Sequence, residues 1–244
     1  MAATFVHGKG TRVYAGRRSL YPILTNAEYT VSVEAPDVTT FGDGDKNYLG
    51  GGQREGDVTF DGIYDGGSTE TQKLLEDALG TTGLIPISYG PAGDATGARA
   101  RLANVIPVGF NVQDLASDAV AVAMTVKPTS RNDFGVFLKP EAAVTSTGSS
   151  TAVDNAAAST GGAVGHLHLV SASTLTALVV KIQHSTNGSA WTDLITFTSA
   201  TAETVQRSTV SGTIRRYVRE TRSTFTGGAG KTVTHVVAFA RRSI

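Results

Sequence analysis

The sequence contains no cysteine, so it offers neither a disulfide nor a thiolate metal site, and burial and backbone hydrogen bonds must hold the fold. A reducing cytoplasm is therefore an acceptable place for the chain to fold. No apolar run approaches the roughly 18 residues of a membrane-spanning helix, so we expect no membrane insertion. The opening residues MAATFVHGKGTRV lack the apolar run of a signal peptide, and we expect no such leader.

Catalytic motifs are also missing. The chain has no G-x-S-x-G turn, no P-loop, no H-E-x-x-H pair and no G-x-G-x-x-G after a strand. The carboxylates of Asp57, Asp61 and Asp65 are four residues apart, which on an extended strand is about 13 Å and too far for an acid–base pair. We therefore expect no enzyme activity and no cofactor.

Two patterns resemble metal sites without completing one. Residues 43–47, DGDKN, open like a calcium loop, but Tyr48 occupies the glycine position and Arg54 the position of the bidentate glutamate. His166 and His168 would face the same way on a strand, yet no third ligand is near in sequence. Two histidines on a solvated strand face are the commoner case, so we predict no metal site.

Charge is balanced over the whole chain but not along it. Residues 1–145 carry 12 Lys and Arg against 17 Asp and Glu, whereas residues 146–244 carry 9 against 4. The first part therefore lacks the basic patch that tight nucleic-acid binding requires.

Composition divides the chain into three parts. Residues 142–165 are rich in Ala, Ser, Thr and Gly and carry a single charge, so we predict a flexible linker there. We predict that the flanking segments, 1–141 and 166–244, form two domains. We predict a mainly β protein: an antiparallel β-sandwich or barrel with one short α-helix, followed by a second, small all-β sandwich.

Alternation of apolar and polar residues predicts half-buried strands in the first domain. The apolar positions are Ala27, Tyr29, Val31, Val33 and Ala35 in one strand, Val58, Phe60 and Tyr64 in the next, and Val120, Val122, Met124 and Val126 in a third. The opposite faces carry acids: Glu28 and Glu34 in the first strand, and Asp57, Asp61 and Asp65 in the second.

One segment, STETQKLLEDALG, predicts a helix of about three turns. Thr69 would be the N-cap, Gln72 the partner in a capping box, and Gly80 the residue after the last turn.

The second domain contains several short predicted strands, and their spacing along the sequence is typical of a β-sandwich. Asn187-Gly188 predicts a hairpin turn, and Trp191 after it is expected to fill the sandwich core. The run RRYVRE places charges on both faces of one strand, which predicts an edge or an interface.

A loop of about twenty charged, glycine-rich residues, Pro36 to Val58, joins two predicted strands. Most connections have about 4 to 6 residues, and longer ones are often functional. We therefore interpret this segment as an assembly loop.

The order of these segments resembles the tail tube (major tail) proteins of long-tailed bacteriophages. The resemblance lies in a strand, then VEAPDVTTFGDGDKNYLGGGQREGDVTFDGIYD, then TETQKLLEDALG, then paired strands to KPTSRNDFG. Thr39 to Asp43 match the family's T-x-FGD-like loop. QHSTNGSAWTDL and GTIRRYVRETRS are similar to the accessory β domains of actinobacteriophage-like tail proteins.

The resemblance implies a structural virion protein. In that family, subunits form hexameric rings around a continuous inner β-barrel, and the rings stack into a tube through which DNA is ejected. It implies copies of the same chain as partners, together with tape measure and tail terminator proteins, synthesis in the host bacterial cytoplasm, and DNA that passes without specific binding.

The resemblance also assigns expected roles to residues of this chain. The ring-stacking loop would use Thr39, Phe41, Asp43, Asp45, Lys46, Tyr48, Arg54 and Glu55. Acids facing the lumen would be Glu28, Glu34, Asp57, Asp61 and Asp65. The basic outer domain, with Arg215, Arg216, Arg219, Arg222, Arg241 and Arg242, could contact an anionic cell envelope.

Two other classes remain open on the sequence alone. Trp191, Tyr217 and the loop at Asn187 could form the platform of a carbohydrate-binding or adhesion module. Another virion part, such as a capsid decoration or baseplate protein, would share the same β-rich assembly style.

Overall fold

The fold is almost entirely antiparallel β-sheet, as the sequence predicts. The computed structural model describes residues 8–50, 54–67, 71–114, 119–129 and 131–242. The strands are β1 Arg12–Ala15, β2 Arg18–Ser19, β3 Leu24–Val33, β4 Arg54–Ile63, β5 Ile85–Gly90, β6 Arg99–Gln113, β7 Ala121–Pro128, β8 Asp133–Val144, β9 Gly148–Ser149, β10 Val153–Asp154, β11 Ala163–Ser185, β12 Thr192–Thr196, β13 Thr204–Val210 and β14 Tyr217–Arg241. A 3-10 turn, Gly8–Gly10, and one α-helix, α1 Lys73–Asp77, complete the described elements.

Four strands form one part of the 14-stranded sheet, in the order β3-β4-β7-β6 with every pair antiparallel, and we call this part the four-stranded sheet. The predicted alternation is confirmed where the strands pair: Val58, Phe60 and Met124 are buried, while Glu28 and Thr30 on the other face are exposed. The apolar stripe on β3 ends early, because Val33 is exposed.

The helix α1 is shorter than predicted. Gln72, not Thr69, is its N-cap residue, and Thr69 lies outside the described residues. The side chain of Gln72 is buried and donates from Nε2 to the carbonyl oxygen of Asp65, so it does not form a capping box. Gly80 follows the helix with φ +73, a backbone angle at which glycine is favoured. No helix within the described ranges is long and apolar enough to cross a membrane.

The second half of the chain is organised by two long strands, β11 and β14, which pair along most of their lengths. Parts of the segment 142–165, predicted to be a flexible linker, are paired in these strands. Residues 142–144 belong to β8 and pair with β14, β9 and β10 also pair with β14, and β11 begins at Ala163. The flexible-linker prediction is therefore wrong for these stretches, since backbone pairing satisfies residues whose side chains contribute little burial.

Three apolar clusters fill the interior. One lies within residues 13–126, from Val13 to Val126, and a second within residues 136–239. A third joins them and takes residues from both parts, including Tyr14, Leu102, Phe137, Val164 and Val236. We call this third cluster the seam. The division into domains 1–141 and 166–244 stays a prediction, because the second core includes Leu138 and Ala163 and the seam packs the two cores against each other.

The seam explains the two histidines of β11, which were expected on a solvated face. Both side chains are fully buried. Nδ1 of His168 donates to the carbonyl oxygen of Gly16 at 2.7 Å, which leaves Nε2 to accept from Oγ of Ser88 at 2.8 Å. Nδ1 of His166 lies 3.2 Å from the same Oγ. No group of three or more His, Cys, Asp or Glu within the described ranges could hold a metal ion.

Strand β14 is not the edge strand that its charges suggested. It lies between β11 on one side and β8, β9 and β10 on the other. Its charged residues are partnered instead: buried Glu220 accepts from Nη1 of Arg222 at 2.9 Å and lies 3.1 Å from Nε2 of buried His235. Internal pairing, which the sequence pattern does not reveal, is what allows these charges inside the sheet.

Trp191 is not a core residue either. Its side chain is half-buried, and the guanidinium of Arg219 lies over its ring, 4.1 Å from the centroid. The Arg219 guanidinium is held there by Oε1 of Gln183. One indole face is therefore covered by a cation, which leaves less of it for stacking on a sugar.

Candidate assembly surface

The strand β3 leaves one side of the four-stranded sheet open. Within the described residues it pairs only with β4, along nearly its whole length of ten residues. Its other side therefore presents unpaired backbone N–H and C=O groups, which an additional strand can bond. Val33, near the end of this edge, has an exposed side chain.

The opposite side of the same sheet is open as well. At Val105, strand β6 pairs with Ile85 of β5 on one side and Pro128 of β7 on the other. Beyond that point β7 continues along β6 to Gln113, whereas β5 has ended. Residues 106–113 thus have no second partner strand in the part of the chain that the structure describes.

These two edges have complementary directions. Because each neighbouring pair in β3-β4-β7-β6 is antiparallel, the first and last strands of the series run in opposite directions. If the β6 edge of one copy met the β3 edge of the next, the new pair would be antiparallel too. Exposed Val108 and Val112 on β6 add apolar surface at this edge.

One face of this sheet is polar and acidic. Cross-strand register places Glu28 beside Thr59, Thr59 beside Thr125, and Asp61 beside Ala123. Nζ of Lys127 lies 3.4 Å from Asp57 and 3.6 Å from Glu55. Among the described residues, the acids of this face are Glu28, Glu55, Asp57 and Asp61, and its one lysine is Lys127.

The segment predicted to be an assembly loop forms a small hairpin, which we call the protruding hairpin and define as residues 34–50. An isolated bridge joins Asp37 to Tyr48, and the N–H of Val38 donates to the carbonyl oxygen of Asn47 at 2.9 Å. Every residue of the hairpin is exposed, and Phe41 at its tip is 114% exposed relative to a reference residue. Hence the hairpin does not pack on its own subunit.

Hydrogen bonds to side chains, rather than burial in a core, hold the hairpin in its shape. The carboxylate of Asp43 accepts from the backbone N–H and the hydroxyl of Thr40, at 2.7 and 2.9 Å, and the backbone bond is the larger cause of its lowered pKa. The hydroxyl and N–H of Thr39 likewise lower the pKa of Asp37, and Nζ of Lys46 lies 3.5 Å from that carboxylate. Both carboxylates therefore stay ionised over the physiological range.

The predicted loop residues fall in three places. Thr39, Phe41, Asp43, Asp45, Lys46 and Tyr48 belong to the protruding hairpin. Glu55 lies in β4 on the acidic face, because the strand begins earlier than predicted. The backbone of Arg54 opens β4, and its side chain lies outside the described residues.

The predicted lumen acids also divide. Glu28, Asp57 and Asp61 share the acidic face. Glu34 follows the end of β3 and is exposed at the base of the hairpin. Asp65 follows the end of β4, and its carboxylate accepts from the N–H groups of Gly67 and Thr71 at 3.0 and 3.1 Å. Placing Asp65 on the strand face was therefore wrong.

Most of the basic cluster expected on the outside is engaged within the chain. Arg216 pairs with Asp154, Arg222 with Glu220 and Arg242 with Asp133. The guanidinium of Arg241 donates to the carbonyl oxygens of Ala157, Arg215 and Arg216. These interactions leave little free positive charge in this cluster for an anionic cell envelope.

Sequence reasoning missed a group of arginines around an exposed aromatic residue. Arg99 and Arg101 alternate along β6, and Arg101 is paired with Phe134 of β8, whose side chain is 52% exposed. Arg241 joins them from β14, 140 residues further along the chain, to line a cavity of about 380 Å³. The sequence shows Arg99 and Arg101 two residues apart, but it does not show that Arg241 lines the same cavity.

No protein-family model and no curated protein matches this chain. The solved structures to which this chain is similar include the following three. A chain of the virion of a native gene transfer agent particle matches at 12% identity and TM-score 0.42, covering 52% of this chain and 97% of that one. A chain of the tail of an empty gene transfer agent particle, solved with C6 symmetry, matches at 13% and 0.38, covering 46% and 81%. The Dit protein of phage SPP1, described as an adsorption-apparatus hub, matches at 12% and 0.37, covering 94% and 98%.

Proposed function

We propose that this chain is a structural virion protein that assembles with copies of itself into the tail tube of a long-tailed bacteriophage. The observation that carries the proposal is the four-stranded sheet with two open edges, one on β3 and one on β6. Edge strands of this length are normally blunted or covered, because they invite pairing with other chains. An assembly that joins the edges of neighbouring copies leaves no edge strand exposed to such pairing.

Head-to-tail joining of the two edges gives a ring. The β3 edge of one copy meets the β6 edge of the next, and because the two edges differ, the contact is heterologous and closes when the rotation between copies divides a full circle. All strand pairs around such a ring are antiparallel. The family resemblance of the sequence supports six copies and the stacking of rings.

The acidic face has a role in this assembly. We place it toward the lumen, where Glu28, Asp57 and Asp61 repeat in every subunit. Negative charge repels the phosphates of DNA and lets the duplex slide without specific binding. The face with buried apolar residues then points outward, against α1 and the rest of the subunit.

The protruding hairpin serves contacts between copies. It exposes the side chains of Phe41, Tyr48 and Leu49 to solvent, on a segment that does not pack against its own subunit. Large exposed apolar residues grouped on one projection are typical of protein–protein contacts. The role is structural, and it needs no active site.

Sedimentation velocity and negative-stain microscopy of the purified protein test this function. We expect rings or tubes with an open centre that become more abundant as the concentration of the chain rises. Monodisperse monomers at every concentration would overturn the proposal, and a monomer that binds glycans would favour the adhesion alternative.

A further inference from the structure

The arginine cleft, defined by Arg99, Arg101, Arg241, Phe134, Val136 and Phe239, is a second candidate contact surface. Its cavity of about 380 Å³ lies between the β6-β8 pair and β14. Arg99 is paired with Val136 and Arg101 with Phe134, so charged and apolar side chains alternate on one wall. No Asp or Glu is among the described residues that line it.

Two of its arginines have no acidic partner within the described ranges. The guanidinium of Arg101 lies 4.8 Å from the centroid of the Phe134 ring and 5.3 Å from that of Tyr29. Stacking of this kind fixes the plane of a guanidinium while its N–H groups stay available for a carboxylate. Arg99 is exposed at the end of the same strand.

The carboxylate of Asp133, the residue before Phe134, is engaged by other arginines. Asp133 is buried, and its two oxygens accept from Arg242 at 3.0 and 2.8 Å. Arg131 and Arg207 lie 3.5 and 3.9 Å from the same carboxylate. The three arginines that contact Asp133 all lie outside the lining of the cleft.

The chemistry that fits this cleft is an acidic segment with an exposed aromatic residue. The protruding hairpin has this composition: four acids, Glu34, Asp37, Asp43 and Asp45, against one lysine, Lys46. Phe41 stands at its tip, fully exposed. Because every residue of the hairpin is exposed in the subunit, the chain does not fill its own cleft with it.

We propose that the protruding hairpin of one copy docks in the arginine cleft of another copy, with Phe41 against Phe134 and the hairpin carboxylates against Arg99 and Arg101. The inference rests on the proposed self-assembly and names the surface that receives the hairpin. Charge complementarity sets the register of the contact, and aromatic contact excludes water from it. The charged part of the contact weakens as salt rises.

Charge reversal on each side tests the pairing. We expect Arg99→Glu with Arg101→Glu to abolish assembly, and Glu34→Lys with Asp45→Lys, which leaves the bonds between Asp43 and Thr40 intact, to do the same. All four substitutions in one chain should restore assembly, because the opposite charges meet again. Arg17→Glu, at an exposed arginine outside the cleft, is the matched control for Arg99→Glu and should assemble normally.

Thermal melting separates loss of folding from loss of contact. If the reversed cleft variant does not fold, Arg99→Gln with Arg101→Gln removes the charge without adding carboxylates and should weaken assembly at low salt.

Site-directed cross-linking tests the contact directly, since the chain has no native cysteine. Chains with Phe41→Cys are mixed with chains carrying Phe134→Cys and treated with a short bis-maleimide. We expect covalent dimers from the mixture and few from either variant alone.

The outcomes distinguish the two proposals. If the unsubstituted chain never assembles, both are overturned. If it assembles while the cleft variants assemble equally well and the mixture does not cross-link, only the docking proposal is overturned. Cleft variants that assemble but lose affinity for a short DNA duplex would overturn it in favour of a phosphate ligand.

Discussion

Nδ1 of His168 donates a hydrogen bond to the carbonyl oxygen of Gly16 across 2.7 Å, and this bond joins β11 to the turn after β1 at the seam between the two cores. The other nitrogen, Nε2, lies 2.8 Å from the hydroxyl of Ser88. An imidazole held between a carbonyl acceptor and a hydroxyl donor is neutral. Protonation would place two N–H donors where one donor and one acceptor are needed.

The seam should therefore be sensitive to acid. Burial lowers the pKa of His168 to about 4 and holds the pKa of His166 well below its ordinary value of 6.5. Between pH 6.5 and 4 the unfolded chain binds protons that the folded chain does not, so stability falls as the pH falls. For His168 alone the loss is about 3 kcal/mol over this window.

Urea unfolding at pH 7.5 and pH 5 measures this loss. Replacement of His168 by Gln removes the titrating group, so we expect a smaller difference between the two pH values. His184, outside the seam, is also buried, and burial also lowers its pKa, so His184→Gln removes a separate contribution and leaves that of the seam in place. An unchanged pH dependence in His168→Gln would contradict the prediction.

The carboxylate of Asp133 should be important for stability. Its side chain is 2% exposed and lies among Arg242, Arg131 and Arg207. Asp133→Asn leaves three arginines without their shared counter-charge, and loss of one partner of a buried pair typically costs about 3 kcal/mol. Asp154→Asn, which breaks an exposed pair with Arg216, is the control and should change stability little. Equal effects of the two substitutions on the free energy of unfolding would contradict this.

Shortening the protruding hairpin should separate folding from assembly. The pair formed by Asp37 and Tyr48 allows residues 39–46 to be replaced by Asn-Gly, a sequence that favours tight hairpin turns. Because no hairpin residue is buried, we expect a soluble subunit with an unchanged melting temperature that no longer forms tubes. Loss of folding would assign the segment to the core instead.

The acidic face can be tested by co-sedimentation with DNA. Glu28→Lys with Asp61→Lys reverses two charges on the face that we place toward the lumen. We expect tubes of this variant to retain DNA at low salt, whereas unsubstituted tubes do not. If the reversed tubes retain no more DNA than unsubstituted ones, the acidic face does not meet the duplex.

The sequence predicted the strands β3, β4 and β7 well, because each has one wet face and period-two alternation records burial directly. It failed where both faces of a strand are buried. His168 and Glu220 are polar residues inside the molecule, and their partners come from strands far away along the chain. Polar satisfaction of this kind leaves no periodic signal.

The candidate assembly surface was also predictable from the sequence only in part. The exposed hairpin followed from its length and composition, whereas the arginine cleft did not, because Arg101 and Arg241 are brought together only by the pairing of β6 and β14 with β8. The open edges of β3 and β6 depend on which strands pair, and a single sequence does not state the order of strands in a sheet.

Hydrogen–deuterium exchange of the backbone amides in β3 and in residues 106–113 of β6 tests the central claim most directly. We predict that alternate amides of both segments exchange rapidly in the isolated subunit and become protected when the chain assembles, while β4 and β7, already paired on both sides, change little. Assembly that leaves the exchange of both edges unchanged would contradict the account.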